Sequence, residues 1–413
     1  MRLAVITVYI VLITFSFLSI LCGTVSFYTT IVLYSATALV FLLVASVIIR
    51  LGKLKSVASN INLAIISIFI TLCITDIALR YLVRPTAYLT YNERNGTLAY
   101  NSNTIRQKFN FIKIRFFRGA GQRGWIFANP VNNTRLLTKN EYSYTHRYNN
   151  DGLRNDSVPI AAKKNEIRFL TLGDSFTEGV GAPQDSTWPV LFQKQLANKV
   201  SDTLYTVING GVSGSDPFFE LYLLKGVLLK YHPDIVIVAI NASDINDIAE
   251  RGGYERFASN GEVSLNDSPW WEPIYGSSII FRMVVRNVFH YTFNLVPENE
   301  EKQRKLKAAD KLVDAVEGFQ QLSKTNNFKL VVVLHPMLDE LQNNKFELAA
   351  ARQKIERDSI YTVDLFSDYQ NYFNAHHQNV ENYFWLLDRH QNSAGYLLWS
   401  QILISKLKEE KVI

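Results

Sequence analysis

Ser175 stands in the run FLTLGDSFTEGVGA, residues 169–182, where an apolar, strand-like stretch breaks at Gly173, Asp174 and Ser175. A serine hydroxyl is inert at neutral pH. It becomes a nucleophile when an imidazole lies within hydrogen-bond reach and a carboxylate fixes that imidazole's tautomer. The far end of the chain carries both groups, because LLDRHQNSAGYLLW puts Asp388 two residues before His390, ahead of Asn392 and Gly395. Acyl transfer through a serine is therefore the chemistry these residue types could perform. The serine does not sit in the elbow G-x-S-x-G, since Thr177 stands where the second glycine belongs. No Lys-Ser/Thr pair follows Gly179 or Gly181, which excludes a phosphate loop.

Two segments so far apart need a scaffold that brings them to one edge. Beyond residue 160 strand-like and helix-like stretches alternate, which predicts a parallel sheet with crossover helices. Strands are expected at Ile167 to Leu172, Tyr205 to Ile208, Ile235 to Ile240, Lys329 to Leu334 and Tyr361 to Leu365. Helices are expected at Trp188 to Lys199, Phe218 to Lys230, Glu301 to Ser323, Lys345 to Ile355 and Ala394 to Glu409. In the third of these, Leu306, Leu312, Val313, Val316, Phe319 and Leu322 recur at helical spacing. The result is an α/β fold with a five-stranded, doubly wound parallel sheet. A turn after its first strand aims side chains at the carboxyl edge, where such sheets place ligands.

The four blocks GDSFTEG, NGGVSG (Asn209 to Gly214), PDIVIVAINASDIND (from Pro233) and DRHQN resemble the SGNH or GDSL hydrolase family. The resemblance runs over roughly residues 145 to 410 and includes the upstream NNDGLR found in membrane-anchored bacterial members. It implies a three-layer α/β/α fold and cleavage or transfer of acyl esters, often O-acetyl groups on carbohydrate. It further implies that Ser175 attacks the ester carbonyl, that His390 acts as general base and then acid, and that Asp388 orients His390. Backbone amides of Ser175 and Gly211 would hold the oxyanion. The family's third block ends in G-x-N-D with the Asn side chain as another donor. Here Asn241-Ala242-Ser243-Asp244 puts Ser243 at that place, and losing such a donor costs roughly 100- to 1000-fold in rate. The family's Asp commonly precedes its His by three residues, where this chain has Leu387. Some carbohydrate O-acetyltransferase relatives use the two-residue spacing, which keeps Asp388 as the expected acid.

Before residue 82 the chain has a different character. Three apolar stretches, Leu3 to Leu21, Tyr28 to Ile49 and Ile61 to Leu79, each approach the roughly 20 helical residues that cross a bilayer. No Asp or Glu precedes Asp76, and the basic residues Arg2, Arg50, Lys53 and Lys55 flank these stretches. By the positive-inside rule those residues are cytoplasmic, and three spans then place the rest of the chain on the periplasmic or extracellular side. The expected organisation is a membrane anchor over 1–81, an irregular, partly β extension over 82–160 with a turn at Asn150-Asp151-Gly152, and the hydrolase-like domain over 161–413 with an insertion at 249–300. Within that insertion Trp270-Trp271 and the run Ile279 to Val296 could form a flap, lie on the membrane or fill the core.

Both cysteines, Cys22 and Cys73, fall in the apolar stretches, so the exported part has neither a disulfide nor a cysteine-based zinc site. A net charge of +6 is modest for 413 residues. The basic-aromatic run Arg106 to Phe117 reads as a solvated strand face ahead of an anionic-lipid or polysaccharide surface, and export disfavours nucleic acid. His335, which ends the fourth strand, reads as a hydrogen-bonded structural residue. His376 and His377 are adjacent in a polar loop without metal-ligand spacing. No metal or nucleotide cofactor is expected. The expected partners are an acylated carbohydrate or lipid substrate, membrane lipid and, for a transferase, a membrane partner protein or exported acyl donor. The competing expectation is a scaffold or binding subunit of an envelope complex that keeps the fold without the rate, with the altered third block in its favour.

Overall fold

The computed structural model describes residues 133–197, 202–257, 279–292 and 296–413. It also describes short strand pieces at 114–115, 117–118, 122–123 and 262–263 and scattered helical residues between 67 and 78. The first two expected spans, and all but those scattered residues of the third, lie outside the described residues. Among the described residues no helix is long and apolar enough to cross a membrane. The Arg106 to Phe117 run and the Trp270-Trp271 pair likewise fall almost wholly outside them.

The chain divides into two compact units, residues 1–113 with 264–302, and residues 114–263 with 303–413. The first contains the helix Ile279–Asn287. The second contains the five-stranded sheet and the candidate site.

After the short strand pieces, the second unit has the antiparallel strands β1 (Asn133–Thr138) and β2 (Ser143–Tyr148), with Leu136 opposite Thr145 and Thr138 opposite Ser143. The expected turn follows at Asn149, whose Oδ1 accepts the N–H groups of Asp151 and Leu153, while Gly152 takes a left-handed φ of 70°. Then come β3 (Glu166–Leu172), α1 (Ser175–Glu178), α2 (Trp188–Ala197), β4 (Leu204–Asn209), α3 (Pro217–Gly226), β5 (Ile235–Ile240) and α4 (Ala242–Arg251). The chain continues through α5 (Glu298–Asn326), β6 (Lys329–Leu334), α6 (Leu338–Asn343), α7 (Ala349–Arg357), β7 (Thr362–Asp364), α8 (Leu365–His376) and α9 (Ser393–Glu409).

Strands β3 to β7 form one five-stranded parallel sheet in the order β7-β6-β5-β3-β4. The order reverses between β3 and β5, and this switch point leaves a crevice at the carboxyl ends of those two strands. β5 is IVIVAI and is buried at every position, as a central strand covered on both faces must be. Phe169, Ile237 and Val333 share a core cluster with Trp188, Phe192, Tyr369, Trp399 and Leu403 of α2, α8 and α9. The alternate residues Leu170, Val236, Val238 and Val332 are buried as well and face the other way by strand alternation.

All five strands lie where the periodicity predicts. The expected helix over Lys345 to Ile355 starts only at Ala349, as α7, and a separate helix, α6, precedes it and ends where Asn344 takes the left-handed conformation. The expected helix from Phe218 stops at Gly226 and is followed by a tighter turn over Leu228–Tyr231.

Trp188 and Trp399 stack at 5.1 Å with nearly parallel rings and lock α2 to α9. Trp399→Ala is expected to cost roughly 3–5 kcal/mol of stability, read as a lowered denaturant midpoint at unchanged slope.

Candidate active site

Ser175 owes its position to the end of β3. Gly173 has φ +149°, and a Cβ there would sit 2.3 Å from Thr177 Oγ1 and 3.0 Å from the Ala239 carbonyl. Only glycine lets the strand turn this sharply beside β5. Asp174 then caps α1 by accepting the Phe176 N–H at 2.9 Å, and Gly179 closes the helix in the left-handed conformation. A four-residue helix thus presents its first residue, Ser175, at the carboxyl edge of the sheet.

The second segment arrives just before α9. His390 Nε2 lies 2.7 Å from Ser175 Oγ, and His390 Nδ1 lies 2.7 Å from Asp388 Oδ2. The loop is pinched shut by hydrogen bonds from the Trp385 N–H to the His390 carbonyl and from the Arg389 N–H to the Trp385 carbonyl, both 2.8 Å. Arg389 holds φ +68°, the left-handed conformation that a two-residue spacing needs to fold Asp388 back onto the imidazole. Phe176 packs its ring 4.7 Å from that of His390. Burial pushes the Asp388 carboxyl up, but hydrogen bonds from His390 and Tyr142 and the nearby Lys139 charge outweigh it and hold the group well below the usual carboxylate range.

The other expected residues are placed differently. The Gly211 N–H donates to Asn209 Oδ1 at 2.9 Å, so the expected oxyanion donor is already engaged. Gly211 is glycine for packing, because a Cβ there would fall 2.2 Å from the Glu178 backbone nitrogen. Ser243 is engaged too. Its hydroxyl donates to Asn241 Oδ1 at 2.6 Å, and Asp174 Oδ2 lies 3.4 Å away. Asn241 caps α4, and its Nδ2 donates to Asp174 Oδ2 at 3.0 Å and meets His335 Nε2 at 3.2 Å. Gly214, the last glycine of the same block, has φ +77°, and among the described residues nothing accepts its N–H or that of Ser175. The NGGVSG block thus holds one glycine whose N–H is engaged, Gly211, and one whose N–H is open, Gly214.

His335 is fully buried between Phe176 and Trp399, and burial pushes its pKa down to about 3, which keeps it neutral. His376 is exposed, with Nδ1 2.9 Å from the Tyr372 carbonyl, and His377 ends α8. Among the described residues no group of three His, Cys, Asp or Glu side chains is arranged to hold a metal.

Glu178 escaped the sequence reading. It is the last residue of α1 and is buried, and it accepts the Tyr148 hydroxyl at 2.6 Å and both the N–H (2.8 Å) and hydroxyl (2.7 Å) of Ser213, with His146 Nδ1 at 3.4 Å. It therefore ties β2 to the loop that carries Gly214. Arg154, the last residue of NNDGLR, donates to the carbonyls of Glu178, Gly179 and Ala182 and braces the far side of the same turn.

A turn serine and an imidazole braced by a carboxylate, at the switch point of a parallel sheet, have the make-up of the serine acyl-hydrolases. The sequence comparison narrows the class. Residues 171–398, more than half of the chain, match the GDSL-like Lipase/Acylhydrolase family, and the chain belongs to that family. It is similar to an arylesterase of Vibrio mimicus, 34% identical over 84 residues that cover 20% of this chain and 41% of that protein. It is also similar to an uncharacterized protein of Mycoplasma pneumoniae, 25% identical over 174 residues, 40% of this chain and 19% of that one. The chain thus spans less than half of the length of these curated relatives. Among solved structures it resembles a two-domain esterase active on acetylated mannans (TM-score 0.38, 14% identity, 60% of this chain and 51% of that one). An acetyl xylan esterase, AlAXEase, gives a TM-score of 0.36 at 15% identity over 58% of this chain and 100% of that one.

Burial pushes the Glu178 carboxyl up, but hydrogen bonds from His146, Ser213 and Tyr148 prevail and hold it at about 2, against an ordinary 4.5. Its stabilising contribution is therefore complete above 4.5 and is lost as pH falls toward 2. The stability gap between wild type and Glu178→Gln should shrink by on the order of 3 kcal/mol over that window. Urea titrations at a series of acidic pH values check this, and a pH-independent gap would contradict it.

Proposed function

We propose that this protein is a membrane-anchored serine esterase or O-acyltransferase that acts on ester-linked acyl groups, acetyl above all, of cell-envelope glycan or lipid. One observation carries the reading, the 2.7 Å contacts that His390 makes with Ser175 Oγ on one side and Asp388 on the other. Membership of the acylhydrolase family and the likeness to an arylesterase support the ester as the bond attacked. The three apolar stretches and their flanking basic residues support the anchor and the outward-facing location.

In this reading His390 takes the Ser175 proton as the hydroxyl attacks the ester carbonyl, and Asp388 holds the imidazole in the tautomer that accepts at Nε2. The N–H groups of Ser175 and Gly214 stabilise the oxyanion. His390 returns the proton to the leaving alkoxide, which departs as the alcohol and leaves an acyl-serine. Water, or a sugar hydroxyl in a transferase, then loses its proton to His390 and attacks that acyl group. Ser175 is regenerated and the carboxylic acid or the new ester is released.

The scaffold reading has one specific support, since the Ser243 hydroxyl is spent on Asn241 and leaves the third donor of the family's hole missing. The two readings separate on a direct assay. The full chain should hydrolyse p-nitrophenyl acetate and be labelled by a fluorophosphonate probe, and Ser175→Ala should abolish both. Equal turnover in wild type and Ser175→Ala, or no labelling of the wild type, would favour the scaffold. Ser243→Asn restores an amide at the family position and is expected to raise kcat by roughly tenfold or more.

A further inference from the structure

The turn that joins β1 to β2 reaches the Asp388 loop. Glu141 Oε1 accepts the Leu386 N–H at 2.9 Å, and its Oε2 accepts the N–H groups of Leu387 at 2.8 Å and Asp388 at 2.9 Å. The Tyr142 hydroxyl donates to Asp388 Oδ2 at 2.6 Å, the same oxygen that meets His390. Lys139 Nζ lies 3.2 Å from the other oxygen, Oδ1. The Tyr142 ring is buried against those of Trp385 (5.1 Å) and Tyr144 (5.5 Å). One short turn thus engages the backbone and both carboxylate oxygens of Asp388.

The loop itself is poorly equipped to hold this geometry. Leu386 and Leu387 are exposed, and Arg389 is in the left-handed conformation that L-residues rarely adopt. An aspartate in a loop also has a competing option, which is to accept N–H groups of its own neighbouring backbone. Asp364 of this chain does so, accepting the Phe366 N–H two residues on. Glu141 instead holds the N–H groups of Leu386, Leu387 and Asp388, which fixes the backbone from which the Asp388 carboxylate reaches His390 and Tyr142. Ordinary packing would not require three successive amides to converge on one carboxylate from another element.

We propose that Glu141 and Tyr142, which precede the family-matched residues 171–398, are positioning residues for the Asp388–His390 pair and make the β1–β2 hairpin part of the acyl-transfer machinery. The inference rests on the esterase reading of Ser175. It assigns the hairpin a task that the two-residue Asp-His spacing creates. A carboxylate on so short a turn needs an outside hold.

The test uses the full chain with p-nitrophenyl acetate. Tyr142→Phe keeps the ring and removes one hydrogen bond, and should lower kcat roughly tenfold with KM unchanged. Glu141→Ala should lower kcat roughly 10- to 100-fold, the scale expected when a reacting group is misplaced by about 1 Å. Glu141→Gln, which keeps an acceptor oxygen, should recover part of that loss. On an Asp388→Ala background Glu141→Ala should cost nothing further, because its effect runs through Asp388. The downfield imidazole proton of His390 Nδ1 should broaden or shift in Glu141→Ala. The inference falls if Glu141→Ala and Tyr142→Phe both keep kcat within roughly twofold while Ser175→Ala is inactive, or if Glu141→Ala costs the same factor with and without Asp388. A wild type without turnover would instead remove the esterase reading, and the imidazole resonance then decides alone. An unchanged signal in Glu141→Ala overturns the positioning role.

Discussion

The His390 imidazole has to touch an alcohol on one side and a carboxylate on the other, although 215 residues separate it from the alcohol. That requirement dictates where three segments end. β3 must stop at Gly173 so that the next turn lies over β5, and α9 must start at Ser393 so that the loop before it reaches back across the sheet edge. The parallel sheet makes this possible because every strand ends on the same edge. Its reversal of order between β3 and β5 opens the only kind of gap into which a loop from elsewhere in the chain can settle. The stacked Trp188 and Trp399 fix α9, and with it the direction from which His390 approaches.

Two carboxylates lie near that imidazole, and their surroundings push them in opposite directions. Asp388 is half-buried among donors and a lysine and is held low. Asp174 is fully buried, and desolvation raises its pKa despite the hydrogen bonds it accepts. Behind it burial also drives Glu220 and Asp244 well upward and moves Asp247 up to about 7. Asp216, in the same region, is paired with Arg251 and Arg256. Burial disfavours the charged form across this floor, whereas the donors around Asp388 favour it. Of these acids it is Asp388 whose carboxylate meets the imidazole, at 2.7 Å from His390 Nδ1.

The sheet was legible because its signals are strong and local. Ile235 to Ile240 is a continuous apolar run, and the α5 residues Leu312, Val316 and Phe319 recur at helical spacing and are buried. The pairing of Ser175 with His390 and Asp388 was legible because the chemistry demands all three residue types. The hairpin was not. NTRLLT and SYTHRY are largely polar, and β2 buries only alternate positions near its end, so neither strand stands out from an irregular extension. Glu178 was hidden for a related reason, since a lone glutamate after a serine motif looks solvated until Tyr148 and Ser213 close over it. Gly211 and Ser243 show a limit of another kind. Block position assigned them a donor role, yet each donor is taken by an asparagine two residues away, Asn209 and Asn241, and local hydrogen bonds of that sort leave no trace in a motif.

Those two asparagines also bear on how an oxyanion would be held. Both N–H directions of the Asn241 amide are committed, one to Asp174 and one to His335, and the single Ser243 proton points at Asn241. Recruiting either side chain during catalysis would strip a buried acceptor of its partner, a cost of about 1–3 kcal/mol that offsets much of what a new donor contributes. The N–H groups of Ser175 and Gly214 carry no such debt. Backbone geometry fixes them, through the α1 turn in one case and the left-handed Gly214 in the other. Glu178 secures both at once, because it belongs to the first turn and binds Ser213 beside the second. Under the esterase reading, then, preorganisation resides in two backbone amides tied together by one buried carboxylate, and the third block contributes to the floor of the site rather than to its donors.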